Sequence, residues 1–94
     1  MKCQYMVNDY ILAFRQEHEI SGTNFRAAVN MKPKVLSDYD CQRKPMSLDV
    51  ALRITHIMLE EGFPIDRALV VQFWLQDQLN HKGLPYEVTV QEIE

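Results

Sequence analysis

The chain has 94 residues, room for one small domain with a single core. Its 47% hydrophobic content argues against disorder, and no apolar run approaches the roughly 20 residues that a membrane-spanning helix needs. A net charge of −3 argues against a protein held on a polyanion by bulk charge alone.

Lys2 to Val7 alternates polar and apolar residues, with Cys3, Tyr5 and Val7 on one face, which predicts a short strand. Asn8 or Asp9 can cap a following helix over about 9–19, where Val7, Tyr10, Ile11, Phe14 and His18 recur at helical spacing. Ser21-Gly22 ends it. Ser21 also serves as the cap of a second helix, in which Phe25, Ala28 and Val29 fall at i, i+3, i+4. The stripe breaks at Asn30-Met31-Lys32. Asn tolerates the left-handed backbone of a sharp turn, and Pro33 fits the first turn of a third helix. Val35, Leu36 and Tyr39 give that helix a small apolar face and turn Lys34, Ser37, Asp38 and Gln42 away from it.

Ser47 caps a fourth helix from Leu48 to about Glu61, apolar on two sides and therefore expected between others. Gly62 ends it and Pro64 starts the next. The last helix runs from about Ile65 to His81, with Asp66 favourable near its start and Gly83 and Pro85 beyond its end. Its apolar residues occupy more than one face. One face meets the core, and the surplus, with Phe73 and Trp74, predicts a second burial surface, either a thick monomer core or a subunit interface. Residues 86–92 alternate again, with Tyr86, Val88 and Val90 on one side, a strand by period and β-branching. Since a lone strand is unstable, the two terminal strands are expected to pair, within a subunit or across a dimer.

The segment Ile20 to Pro45 resembles the helix-turn-helix of the Cro/CI-repressor-like (Xre-type) DNA-binding family. Ser21 and Phe25 stand where the family opens its first motif helix. Asn30 takes the turn position, usually Gly, and Met31 the apolar residue after it. Leu36-Ser37-Asp38-Tyr39-Asp40 matches the recognition helix, and Arg43-Lys44-Pro45 the basic segment that follows. The likeness covers about residues 10–58. Two positions depart from the pattern. Arg26 replaces the small residue, usually Ala, directly after the opening apolar one. Gln42 replaces the usual Gly before the basic segment, which is also a residue shorter. The long stem of Arg26 can run along the helix contact and place its guanidinium outside.

Together with the terminal strands and single domain read above, the resemblance implies a mainly α, five-helix repressor-like domain over 1–94 with short N- and C-terminal strands. The helix-turn-helix lies at about 21–42, and a dimerisation helix and strand at about 65–93. It implies double-stranded DNA as partner and a homodimer on a near-palindromic site. Thr23, Asn24 and Arg26 would lie against the phosphates. Lys32, Lys34, Ser37 and Asp38 would face the major groove, with Lys34 suited to guanine O6/N7 and Asp38 to cytosine N4, while Arg43 and Lys44 hold the backbone. The dimer would use Phe73, Trp74, Tyr86, Val88 and Val90. The alternative is a protein-binding module on the same fold, an antitoxin or anti-regulator, with the last helix as partner surface.

Charge placement agrees with the DNA reading. Residues 20–47 carry five basic side chains (Arg26, Lys32, Lys34, Arg43, Lys44) and two acids, a balance of +3, which leaves −6 for the rest of the chain. The bland account, a solvated basic loop, ranks second because charge and helix-turn-helix pattern coincide. No catalytic pattern stands out. There is no Gly-rich phosphate loop and no HExxH, and Glu60-Glu61 point in different directions on a helix. His18 and His56 read as structural. Cys3 and Cys41 lack metal spacing and read as free thiols. An enzyme, a metal site and a cofactor are not expected. The start lacks the basic-then-apolar block of a secretory signal, so a cytoplasmic location is expected.

Overall fold

The computed structural model describes residues 4–93. Five helices follow one another: α1 Met6–Glu17, α2 Gly22–Val29, α3 Pro33–Asp40, α4 Leu48–Glu60 and α5 Arg67–His81. Among the described residues there is no strand and no helix long and apolar enough to cross a membrane.

Helices α2, α4 and α5 start where local chemistry directs. Ser21 accepts the Asn24 N–H at 3.1 Å, Ser47 the Val50 N–H at 3.2 Å and Asp66 the Leu69 N–H at 3.2 Å, each satisfying a donor that has no partner inside its helix. Asn30 is left-handed (φ 55, ψ 59), and Pro33 opens α3. Past α4 and α5 the left-handed residues are Gly62 and Gly83. After α1 it is Glu19 (φ 55), with Ile20 N–H bonded back to the Arg15 carbonyl at 2.9 Å. Glu19, and not Ser21-Gly22, therefore turns the chain out of α1, and Gly22 is already part of α2.

α1 begins at Met6, three residues before the expected start, and occupies part of the predicted N-terminal strand; Lys2 and Cys3 lie outside the described residues. The reason is tertiary. The Asp77 carboxylate of α5 accepts the Met6 N–H at 2.7 Å and the Val7 N–H at 3.1 Å. A side chain 70 residues away thus does what an N-cap does locally. Asn8, expected as a cap, is instead buried within α1, and its Nδ2 donates to the carbonyls of Tyr39 and Lys44 at 3.2 and 2.9 Å.

The core joins Val7, Ile11 and Phe14 of α1, Phe25 and Val29 of α2, Leu36 and Tyr39 of α3, Ala51, Ile54 and Met58 of α4, and Val70 of α5. α1 packs against α5 and α3, and α4 packs between α5 and α2. Phe73 and Trp74 are half-buried against this core, Phe73 on the Tyr10 ring at 5.4 Å. The tail turns back along α5. Val88 N–H donates to Gln76 Oε1 at 2.9 Å, Val90 N–H to Gln72 Oε1 at 3.1 Å, and Gln76 Nε2 to the Tyr86 carbonyl at 2.8 Å. Two glutamines one turn apart on a helix thus hold alternate peptides of the segment predicted as a strand.

Candidate nucleic-acid interface

α2, the turn 30–32 and α3 form two short helices at a sharp junction, built on Phe25 and Leu36 below. An ion pair fixes their seat on the body of the protein. The Arg15 guanidinium meets Asp40 through two bonds, Nη1–Oδ1 at 2.8 Å and Nη2–Oδ2 at 3.0 Å. It also lies over the Phe25 ring at 4.8 Å. One side chain of α1 therefore ties the last residue of α3 to the central aromatic of α2. Arg15 is buried to 6% exposure. Its position, four residues after Ile11 on the stripe Val7, Ile11, Phe14, was the available signal: an Arg at a core position needs an acid elsewhere.

The α3 end is anchored a second time. Gln42 stands in the left-handed region (φ 63), where its type costs about 1 kcal/mol more than Gly. Its amide accepts the Tyr5 N–H at 2.8 Å and donates to the Tyr5 carbonyl at 3.3 Å. The departure from Gly is thus matched by a contact only a long amide can make. The other departure, Arg26, is partly exposed, with Nη2 3.5 Å from Thr23 Oγ1 on the first turn of α2. Thr23 and Asn24 are exposed there.

On α3, Lys34 and Ser37 are exposed and Lys32 precedes the helix, also exposed. Asp38 does not stand alone. Its Oδ1 accepts from Arg43 Nε at 2.9 Å and its Oδ2 from Lys34 Nζ at 3.3 Å. Arg43 Nη2 also donates to Ser37 Oγ at 2.8 Å. Arg43 beside it, against a smaller opposing effect of burial and with help from Lys34, holds the Asp38 carboxyl below the usual carboxylate range. The carboxylate expected to accept from cytosine is engaged within the protein. Lys44 Nζ sits 5.0 Å from the Tyr39 ring centre. Lys34, Ser37, Asp38 and Arg43 thus form one hydrogen-bonded group, Thr23 and Arg26 another, and Lys32 makes no ion pair among the described residues.

The residues expected at a dimer interface lie on α5 and on the tail that runs along it. Trp74 lines a cleft of about 260 Å³ with Tyr5, Met46, Asp77 and His81, and Phe73 a groove of about 310 Å³ with Tyr10 and Ala13. Tyr86 is 64% exposed, and Val88 and Val90 are half-buried. Cys41 is an exposed free thiol. Among the described residues no three His, Cys, Asp or Glu side chains cluster. No family model, curated protein or solved structure matches the chain.

Proposed function

We propose that the chain is a sequence-specific DNA-binding regulator of the phage-repressor type, acting as a homodimer on a near-palindromic site. The observation that carries this reading is the placement of Lys32, Lys34, Arg43 and Lys44 on and beside α3, on a domain whose remainder is acidic. An exposed helix flanked by cations on a sharp two-helix junction suits the major groove, and the acidic remainder keeps non-specific binding weak. The resemblance of residues 20–45 to the Xre-type motif adds to it. The side chains of Thr23 and Asn24 meet phosphate at the first turn of α2, Lys34 reaches guanine, and Lys44 holds the backbone. The dimer joins through α5 and the tail, where the side chains of Tyr86, Val88 and Val90 meet the second copy while their backbone stays bonded to Gln72 and Gln76.

Two substitutions separate these roles. Lys34→Ala will relax base preference at one position by roughly tenfold, the usual size of a direct base contact. Lys44→Ala will weaken all sequences alike and reduce the salt slope by about one. Binding titrations on matched and mismatched duplexes across a salt series measure both, and equal, sequence-independent losses would contradict the assignment.

A further inference from the structure

We propose that Arg43 reads a guanine, and that Asp38 and Ser37 are positioning residues that hold its guanidinium for that purpose. The inference rests on the DNA-binding reading above and changes the role of Arg43 within it from backbone holder to specificity determinant.

The backbone brings Arg43 back over α3. Gln42 is left-handed, and the Arg43 N–H closes onto the Asp38 carbonyl at 2.8 Å. The side chain therefore starts above the last turn of the helix instead of trailing away from it. Asp38 Oδ1 then takes the Nε–H at 2.9 Å and Ser37 Oγ takes one Nη2–H at 2.8 Å. A guanidinium has five N–H donors in a rigid plane. With Nε–H and one Nη2–H engaged, the Nη1–H donors and the second Nη2–H have no oxygen acceptor among the described residues, the Cys41 sulfur being the other group beside the guanidinium. These donors form the end of the fork, whose spacing suits two acceptors side by side, as guanine presents at O6 and N7.

Exposure fits this division. The Arg43 side chain is 56% exposed, so the fork can be reached, whereas Asp38 is 16% exposed and held. Lys34 Nζ lies 3.3 Å from the other oxygen of Asp38 on a side chain 85% exposed, a surface contact that it can exchange for a base while Arg43 keeps its own bonds to Asp38 and Ser37. A cation that only attracts phosphate has no need of a fixed plane, since any orientation of the charge serves. A plane fixed by two acceptors from the recognition helix pre-organises a directional contact. The same network explains an acid on a face meant for a polyanion: Asp38 orients an arginine and is not itself presented to the bases.

The test is selection from a random duplex pool by the wild type, Arg43→Lys and Asp38→Ala, with circular dichroism confirming that each variant keeps its helices. Arg43→Lys preserves the charge and the salt slope. It is expected to reduce a guanine preference at one position of each half-site by roughly tenfold, because Lys is a point charge without a fork. Asp38→Ala is expected to weaken preference at that same position by several-fold while affinity for random sequence holds or rises, since a negative charge leaves the surface. An Arg43→Lys variant that selects the wild-type site unchanged would overturn the proposal while leaving the DNA reading intact. Wild-type protein that enriches no sequence would overturn both.

Discussion

Asp40→Ala will cost about 3 kcal/mol of folding stability, the lower end of what breaking a buried ion pair takes. The loss comes less from the attraction removed than from what remains. The Arg15 side chain is 8% exposed, and its Nε already has no partner. Without Asp40 the guanidinium stays charged among Phe25 and its neighbours with no acceptor for either Nη. Asp40 is itself 25% exposed, so water can enter the vacated space and limit the damage. Domains of this size have only about 5–15 kcal/mol in total, so the variant will lose a large share. The double variant Arg15→Met, Asp40→Ala should recover most of it, because no stranded charge is left and Met fills the space flexibly. Urea denaturation of the three proteins measures this. A single-variant loss under about 1 kcal/mol would mean that the pair behaves as a surface contact.

Asp77→Ala will cost about 2 kcal/mol, since two first-turn donors of α1 lose their acceptor and the Val7 amide is buried. The same residue gives a pH dependence of definite sign. Burial raises the Asp77 pKa above 3.8, against the smaller opposing effects of the Met6 and Val7 amides and of His81. A raised carboxyl binds its proton more tightly in the folded state. Its contribution to stability is therefore fully present below 3.8 and is lost as pH rises through the raised folded value. Asp77→Asn cannot titrate. The stability of the wild type minus that of Asp77→Asn will fall with rising pH across that window and then level off. A difference that rises with pH instead would show that the amide bonds outweigh burial and that the carboxylate is the favoured form.

Signals within a few residues of one another were legible in the sequence, and those between distant residues were not. Ser21 and Ser47 act on amides three positions ahead, and Asn30, Gly62 and Gly83 on their own backbone, so α2, α3 and α4 could be placed from the sequence, whereas α5 starts at Arg67 with Asp66 as its cap and not at Ile65 behind Pro64. The start of α1 could not be placed, because its acceptor Asp77 lies on the last helix. Tyr86, Val88 and Val90 alternate as a strand would, but no strand forms among the described residues, and periodicity does not reveal that side chains of α5 bond that backbone. At the candidate interface the cluster of cations was visible as composition. That Asp38 bonds Arg43 was not, because Arg43 is brought back over α3 by Gln42 in a backbone conformation its type disfavours.

Affinity for random-sequence duplex pools, measured from low to high salt, bears most directly on the account as a whole. A regulator that reads DNA through α3 as a dimer will enrich a short near-palindrome with half-sites about one helical turn apart. Its affinity will fall steeply as salt rises, with a slope set by the phosphates that Lys32, Lys44 and their neighbours neutralise. A pool that shows no enrichment even at low salt would contradict the account, and would leave α2 and α3 as a scaffold for some other surface of the protein.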